Sequence, residues 1–382
     1  MNKTHKLIYM IEFLVLIFGL GIISAVKLVD YYINPPKVNN QFTKDLDNPL
    51  EGDLAYTFCG KQLFINTNGA ICRLLDQPLM NKVVRLENGY LLTTFDHASD
   101  EVLHEYADAT VRFKEYLDSR GARLVYVATP YTSSKYDAQL PAGIVDYGND
   151  NTDRFIAMLD RAGIDNIDVR EKMHDAGVDQ YDMMYKTDHH WTTEAGLYVY
   201  GLLEEYIVNK TGCNVDNRVA DIGNYSVQRY EKWHLGSRGQ RTGIYYAGID
   251  DFDLILPKFD TRISNGSSVG SMQDMMINMA PLENKDYTSR YTYDDVLDKT
   301  RGHFVNENSE NDISILIITD SFGKAVIPFL TMGFYRIDYV LDENTAVITP
   351  ELIEEYDPDI VVMLYYTKRL QEGEKGFAFK GF

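Results

Sequence analysis

Three long apolar runs constrain the fold of this chain more than any other feature. Residues 123–128, 313–318 and 360–365 are largely apolar. A run without polar alternation suits a strand that is buried on both faces, as in a parallel sheet covered by helices. Segments with helical spacing or helix-start signals lie between and around the runs, at residues 100–119, 152–162, 194–209, 321–332 and 350–356. This alternation favours right-handed βαβ units and predicts an α/β fold with a doubly wound parallel sheet.

Some segments differ from this pattern. Asn88-Gly89 separates two strand-like runs, which is a strong hairpin signal. Residues 213–311 are rich in Gly, Asn, Asp, Ser and Tyr and contain few apolar runs. We interpret 213–311 as an irregular insertion of loops and short strands over the active face, with one candidate strand at 253–256. Short strands are also expected at 164–169 and 339–341.

The beginning of the chain predicts a membrane anchor. Residues 7–26 are apolar and long enough to cross a bilayer, and basic residues precede them. Because such residues stay on the cytoplasmic side, the N-terminus is expected in the cytoplasm and the remainder outside, in a single-pass protein of the cell membrane. A cleaved signal peptide is the alternative, with Ser24-Ala25-Val26 as a weak cleavage site. We therefore expect three parts: an anchor at 1–30, a linker at 31–50 and an extracytoplasmic domain at 51–382.

Charge and cysteine content exclude several function classes. The 382 residues carry 57 acidic and 37 basic side chains, a formal net charge of −20. An acidic surface repels phosphate backbones, so nucleic acid is not expected as a partner. The three cysteines, Cys59, Cys72 and Cys213, have neither an even count nor a CxxC spacing. We therefore expect no metal knuckle and no disulfide framework. We also expect no bound cofactor.

The segment Thr187-Asp188-His189-His190-Trp191-Thr192 places a carboxylate two residues before an imidazole. In an extended backbone, side chains i and i+2 share a face, so Asp188 can orient His190 and leave its other nitrogen free as a base. His189 is then expected to point elsewhere and to form structural hydrogen bonds. An Asp-His-His triplet also occurs in metal phosphoesterases, but the further metal ligands of that family have no counterpart here.

A second segment, Thr319-Asp320-Ser321-Phe322-Gly323, ends an apolar run at a serine and begins a helix. A serine at the carboxyl end of a parallel strand lies where ligands of α/β proteins bind. The following helix N-terminus offers backbone N–H groups that can receive an oxyanion. Ser321 can therefore be a nucleophile that His190 activates; the alternative is a serine that only caps the helix.

Other candidates lie in loops. Residues 236–243 form a glycine-punctuated loop that could lend N–H groups to an oxyanion or arginines to an anionic substrate. Tyrosines and an arginine that follow the first and last apolar runs are expected on the same sheet edge as Ser321, where they could shape a sugar site. The residues singled out on these grounds are Gly236, Ser237, Arg238, Arg241, Tyr131, Tyr366 and Arg369. Ser237 is also a rival nucleophile, although no strong strand precedes it.

The two catalytic segments together resemble the DHHW proteins, which are similar to the AlgX/AlgJ group of alginate O-acetyltransferases in the SGNH-hydrolase superfamily. In that group the Asp-x-His pair precedes the serine, as it does here. The resemblance runs from about Leu86, with Asn88-Gly89-Tyr90-Leu91 near its start, to about Leu370. It implies an SGNH-hydrolase-like fold, with Ser321 as nucleophile, His190 as base and Asp188 as its partner.

The resemblance also implies a function. It predicts an O-acetyltransferase that acts on a cell-surface or secreted polysaccharide through an acyl-enzyme, with a membrane-bound O-acyltransferase as the partner that passes acetyl groups outward. A carbohydrate acetylesterase would use the same three residues with water as the acceptor. A catalytically inactive relative that binds glycan is the third alternative.

Overall fold

The computed structural model describes residues 3–34, 57–285, 292–341, 347–374 and 376–382. Its strands are β1 (Leu79–Met80), β2 (Val83–Arg85), β3 (Leu91–Leu92), β4 (Arg123–Ala128), β5 (Asn166–Asp168), β6 (Tyr225–His234), β7 (Asp250–Pro257), β8 (Ile263–Asn265), β9 (Ser268–Gly270), β10 (His303–Asn306), β11 (Ser314–Thr319), β12 (Arg336–Leu341) and β13 (Ile360–Tyr365).

Its α-helices are α1 (Lys3–Ile33), α2 (Lys61–Leu74), α3 (Asp100–Arg120), α4 (Gly148–Arg161), α5 (Val169–Asp175), α6 (Thr193–Thr211), α7 (Ser237–Thr242), α8 (Ile244–Ala247), α9 (Met272–Met276), α10 (Ala280–Glu283), α11 (Thr292–Val296), α12 (Ile327–Gly333) and α13 (Pro350–Tyr356). Short 3-10 helices cover Gln180–Met183, Ile222–Asn224, Asp298–Thr300, Ser321–Ala325 and Thr367–Leu370.

An eight-stranded sheet in the order β5-β4-β13-β11-β12-β10-β8-β9 forms the centre of the described chain. The first five of these strands are parallel, and β10, β8 and β9 continue the sheet as antiparallel strands. The three apolar runs become the adjacent strands β4, β13 and β11, as a sheet buried on both faces requires. The predicted α/β fold is thus confirmed, although the sheet is mixed at one edge.

Alternate residues of the central strands face two different layers of helices. Leu316 and Ile318 of β11 pack in one apolar cluster with side chains of α3, α4 and α13. Ile315 and Ile317 of the same strand pack in the other cluster, with side chains of α6 and α12. Because successive side chains of a strand point to opposite faces, helices cover both sides of the sheet. The carboxyl ends of β4, β13 and β11 therefore meet at one edge, where ligands bind in such folds.

The region at 213–311 is more ordered than we expected. Its main feature is a two-stranded antiparallel ribbon of β6 and β7, with register shifts between Tyr230 and His234 that mark a β-bulge. Its later strands β8, β9 and β10 extend the central sheet. The polar composition hid these elements because a ribbon with one exposed face needs few consecutive apolar residues.

The hairpin at Asn88-Gly89 is present as predicted. It joins β2 to β3, with Val84 opposite Leu92, and Gly89 adopts a positive φ of 89°. The helix expected at 321–332 is divided into a 3-10 turn and α12.

Helix α1 contains an apolar segment, Leu7–Ile33, that is long enough to cross a membrane, and the mean hydropathy of its most apolar 18 residues is 2.4. The expected linker at 31–50 lies outside the described residues from residue 35 onward. The proposed division of the chain into anchor, linker and domain stays a prediction.

Candidate functional site

Ser321, His190 and Asp188 form a continuous chain of hydrogen bonds. The Ser321 hydroxyl lies 2.6 Å from Nε2 of His190, and Nδ1 of His190 lies 3.0 Å from Oδ2 of Asp188. A carboxylate only accepts, so Nδ1 carries the imidazole proton and Nε2 is free to accept from the serine. The structure thus brings together, across 131 residues of sequence, three side chains that can relay a proton.

Two local structures position these residues. Thr192 caps α6 by accepting a hydrogen bond from Ala195 N, which fixes the end of the loop that carries His190. Ser321 lies two residues after the end of β11 and begins a 3-10 turn, and Asp320 caps that turn by accepting from Phe322 N at 3.0 Å. Ser321 is half-buried, whereas His190 and Asp188 are each 1% exposed. The relay is therefore shielded from water except at the hydroxyl.

The Asp188 carboxylate is held from several directions. Its Oδ1 accepts from the backbone N–H of His189 at 2.8 Å and from the hydroxyl and N–H of Ser237 at 2.9 and 3.2 Å. Burial alone would raise the pKa of Asp188, but His190 and His189, through charge and hydrogen bonds, hold that pKa well below 3.8. Asp188 is therefore ionised at neutral pH and is suited to stabilise a protonated His190.

His234, which the sequence did not single out, is a further partner of Asp188. It is fully buried at the end of β6, and its Nε2 lies 3.2 Å from Oδ2 of Asp188. Opposite it in the ribbon, Asp250 accepts from Thr187 N at 2.8 Å and from the Thr187 hydroxyl at 2.7 Å. The ribbon thus holds two consecutive residues of the loop that carries His190. No local pattern identifies these contacts, because they depend on the register and bulge of the ribbon.

Two aromatic residues connect the His190 loop to the Ser321 turn. The ring of Tyr293 stacks on that of His190, with 4.2 Å between centroids, and its hydroxyl donates to the carbonyl of Ser321 at 3.1 Å. Trp191 is fully buried and donates from Nε1 to the carbonyl of Phe322 at 3.0 Å. Sequence reasoning missed Tyr293, which lies in the region interpreted as an insertion.

The prediction that His189 points elsewhere is wrong. Its ring lies 3.8 Å from that of His190, and its Nδ1 lies 2.9 Å from Asp188 Oδ1 and 3.1 Å from the Ser237 hydroxyl. The loop consists of bends rather than an extended strand, so adjacent side chains need not alternate. Burial and the neighbouring His190 lower the pKa of His189 below 6.5, which favours its neutral form.

The helix N-terminus after Ser321 offers fewer free donors than expected. Phe322 N donates to the Asp320 carboxylate and Gly323 N donates to the Asp320 carbonyl at 3.1 Å. Within the described chain, the backbone N–H of Ser321 itself has no such acceptor. That N–H is therefore the best backbone candidate for binding an oxyanion at this turn.

The glycine-punctuated loop surrounds Asp188 rather than the open side of Ser321. Gly236 packs so tightly that a Cβ there would lie 2.2 Å from Asp188 Cβ. Ser237 donates to the Asp188 carboxylate, which makes it a supporting residue rather than a rival nucleophile in this arrangement. Arg238 is 2% exposed and donates from Nη1 to the carbonyls of Leu91 and Asp188 at 2.7 and 3.0 Å. Its guanidinium is thus engaged in holding the loop, contrary to the expectation that it reaches an anionic substrate.

The remaining candidates divide into two groups. Tyr366 lies near the relay, since its ring stacks on Phe322 at 4.9 Å and lies 5.9 Å from His189. Arg369 lies beside Asp320, with 3.8 Å between Nε and Oδ2.

Tyr131 and Arg241 are engaged elsewhere. Tyr131 is buried with its hydroxyl on the Asp146 carboxylate, and Arg241 donates to the carbonyl of Asn81 at 2.5 Å. Both side chains are thus engaged away from the relay, which gives no support to a sugar site at Tyr131 or to an anionic-substrate contact at Arg241.

Asp188, His189 and His190 also have the donor types of a metal site, with ligand atoms within 4.8 Å of one another. The carboxylate, however, already accepts from His190, from Ser237 and from His234, and Nδ1 of His189 lies 2.9 Å from its Oδ1. Two carboxylate oxygens offer about four lone-pair positions, so little acceptor capacity remains for a cation. The saturation of Asp188 favours a role in positioning His190 over metal binding.

The chain resembles known proteins in sequence and in fold. Residues 88–212 match the family described as the SGNH hydrolase-like domain of the acetyltransferase AlgX. The resemblance to the AlgX group is confirmed. No curated protein matches the chain by sequence. The AlgX-like segment includes Asp188 and His190 and ends before Ser321.

Several solved structures share the fold of this chain. Bacillus cereus PatB1 has a TM-score of 0.63 at 18% identity, with 78% of this chain and 99% of that chain covered. A DHHW family protein from Eubacterium siraeum has a TM-score of 0.58 at 16% identity, with 78% of this chain and 95% of that chain covered. The O-acetyltransferase domain of Pseudomonas putida AlgJ has a TM-score of 0.51 at 12% identity, with 75% of this chain and 91% of that chain covered. These similarities confirm the α/β fold, and the family match over residues 88–212 identifies it as SGNH-hydrolase-like.

Proposed function

We propose that this protein is a membrane-anchored, extracytoplasmic O-acetyltransferase that modifies a polysaccharide through an acyl-enzyme on Ser321. The observation that carries the proposal is the hydrogen-bond relay, with 2.6 Å from the Ser321 hydroxyl to His190 and 3.0 Å from His190 to Asp188. The AlgX-like match over residues 88–212 supports acetyl transfer as the reaction class.

In both halves of the proposed reaction, Nε2 of His190 accepts and then returns a proton. His190 Nε2 takes the proton of Ser321 as Oγ attacks the acetyl carbonyl of the donor, and then gives it to the leaving group. A glycan hydroxyl next enters, loses its proton to the same nitrogen, and attacks the acetyl carbonyl of the acylated serine. The ester bond to Oγ then breaks, and His190 Nε2 returns the proton to Ser321. Asp188 stays ionised and stabilises the imidazolium in both halves of the reaction.

The location of the reaction follows from the anchor. Segment Leu7–Ile33 would hold the protein in the membrane, with the catalytic domain on the outer side, where cell-surface polysaccharides lie. Acetyl groups from the cytoplasm must then cross the bilayer before they reach Ser321. A membrane-bound O-acyltransferase is the partner that could deliver them.

An acetyl-transfer assay tests the proposal. The purified protein is given p-nitrophenyl acetate with and without candidate cell-surface oligosaccharides, and both p-nitrophenol release and glycan acetylation are measured. Ser321→Ala should lower both at least about 1000-fold, because the proposed acyl-enzyme forms on the hydroxyl that this substitution removes. Mass spectrometry of the intact protein should detect one added acetyl group on the parent and none on Ser321→Ala.

Ser237→Ala is the matched control. It removes a serine hydroxyl from the same site but leaves the proposed nucleophile, so an acetylated protein should still form. Acylation that persists in Ser321→Ala and disappears in Ser237→Ala would contradict the assignment. An acetylesterase would instead release acetate at a rate that no oligosaccharide changes, and an inactive glycan-binding protein would form no acyl-enzyme.

A further inference from the structure

Helix α2 carries an apolar stripe that the rest of the described protein does not cover. Leu63, Ile71 and Leu74 are 68%, 51% and 85% exposed, and Phe64 and Leu75 are 51% and 62% exposed. At 3.6 residues per turn, these five positions fall within an arc of roughly 120°. Large apolar residues gathered on one exposed face mark an interaction surface rather than ordinary surface scatter.

The opposite face of α2 already packs on the protein. A Cβ at Gly69 would lie 2.3 Å from the carbonyl of Thr242, so the helix backbone lies directly on α7. Asn66 accepts from Ile244 N at 3.0 Å, and Cys72 is buried in a small cluster with Tyr246. The helix is therefore fixed by its other side, and its apolar stripe is not needed for the core.

The stripe is adjacent to the candidate membrane span. Cys59, two residues before the start of α2, donates its backbone N–H to the Ser24 hydroxyl of α1 at 2.9 Å. Ser24 is only 7% exposed, whereas Phe18, also on α1, is 63% exposed. The segment leading into α2 thus contacts the span itself, and any lipid around α1 would be within reach of the stripe.

The charge of α2 is also that of a membrane-surface helix. The chain carries a net charge of −20, yet residues 61–74 contain Lys61 and Arg73 and no acidic residue. An amphipathic helix with an apolar face and basic residues lies in the interface between headgroups and acyl chains. Basic residues there are attracted to anionic headgroups, and their stems can extend toward them.

From these observations we propose that α2 rests in the outer interface of the lipid bilayer, with Leu63, Ile71 and Leu74 among the acyl chains. This inference rests on the proposed membrane anchorage, and adds a second contact between protein and bilayer. Helix α2 packs on α7, whose first residue Ser237 donates to Asp188. The membrane contact would therefore fix the height and orientation of the catalytic site above the bilayer.

Quenching of tryptophan fluorescence by brominated lipid tests, in the full-length protein, whether α2 contacts the bilayer. The protein is reconstituted in vesicles of phosphatidylcholine that is brominated on its acyl chains, and Leu74→Trp reports on the stripe. Val269→Trp is the control, because Val269 is an exposed apolar residue of β9, an edge strand of the eight-stranded sheet. Phe18→Trp reports on the anchor. The parent protein gives the background from Trp191 and Trp233. We expect at least about twofold quenching at positions 74 and 18, and none above background at 269.

Two results would overturn the proposal, and they are distinguishable. If position 18 is quenched and position 74 behaves like 269, the anchor is inserted but protein covers the stripe, whether a partner or a second copy of this chain. If neither position 18 nor position 74 is quenched, the span is not embedded in the bilayer, and the proposed contact between α2 and the bilayer is also wrong. The acetyl-transfer assay of Ser321→Ala is independent of both results, so the proposed reaction is judged separately.

Discussion

His234 and His190 hydrogen-bond to the same oxygen of Asp188, Oδ2, at 3.2 and 3.0 Å. Because an ionised carboxylate only accepts, both imidazoles must donate to it. This arrangement leaves Nδ1 of His234 as a buried nitrogen without a hydrogen-bond partner among the described residues. Burying this nitrogen without a partner costs free energy. What a histidine contributes at this position is therefore its other nitrogen, Nε2, which donates to Asp188.

Replacing His234 by phenylalanine should weaken catalysis through Asp188. The variant keeps an aromatic ring but removes a donor to a charged acceptor, which is worth roughly 1.5–3 kcal/mol. We expect kcat for acetyl transfer to fall about 10- to 100-fold with little change in KM, since no substrate contact is lost. Tyr185→Phe is the control, because the Tyr185 ring packs on His234 and its buried hydroxyl has no partner in the described chain. Equal activities of the two variants would show that His234 only fills space.

How far the site could be predicted from sequence depends on how local each contact is. Asp188 and His190 lie within one short segment, and Ser321 follows an apolar run that forms a parallel strand. Local spacing and strand ends therefore sufficed to nominate the three residues that the structure brings together. The fold was predictable for the same reason, since runs such as 313–318 indicate burial on both faces.

The supporting contacts could not be predicted in this way. His234 reaches Asp188 only because β6 and β7 pair in one register and a bulge precedes His234. Tyr293 stacks on His190 from a short helix in a polar region. Arg238 was one candidate for contacting an anionic substrate, whereas the glycines of its loop allow close packing around Asp188. Tertiary packing, rather than any local pattern, decides each of these cases.

Gly236→Ala should displace Asp188. The backbone of Gly236, with φ of −70°, accepts any residue, but the new Cβ would lie 2.2 Å from Asp188 Cβ and 2.6 Å from its Cα. We expect a loss of roughly 1–3 kcal/mol in the free energy of unfolding, measured by urea denaturation, and a larger relative loss of acetyl transfer. Gly201→Ala in α6 is the control, because nothing lies within 4 Å of its added Cβ. It should be neutral or stabilise the helix by up to about 1 kcal/mol. A fully active, stable Gly236→Ala would contradict the tight packing.

The low pKa of Asp188 predicts a dependence of stability on pH. Burial disfavours the ionised form, but His190 and His189 outweigh it and hold the pKa well below 3.8. A carboxyl whose folded pKa is depressed stabilises the fold above its unfolded pKa, and this contribution is lost as pH falls through the folded value. The difference in unfolding free energy between the parent and Asp188→Asn should therefore be constant above about pH 5 and shrink below pH 3.8. A difference that grows on acidification would refute the depressed pKa.

Trp191 donates to the carbonyl of Phe322 at 3.0 Å. The single Tyr293 hydroxyl proton is shared between the carbonyls of Ser321 and Phe322, at 3.1 and 3.3 Å, so removal of the two side chains should not be additive. Trp191→Phe and Tyr293→Phe each leave the other donor in place, and a lost hydrogen bond costs about 1 kcal/mol beyond changes in packing. The double variant leaves that carbonyl without either side-chain donor and should lose more than the sum of the single losses, by roughly 0.5–2 kcal/mol. A double-mutant cycle of unfolding free energies measures this coupling. A coupling of zero would mean that the two side chains hold the Ser321 turn independently.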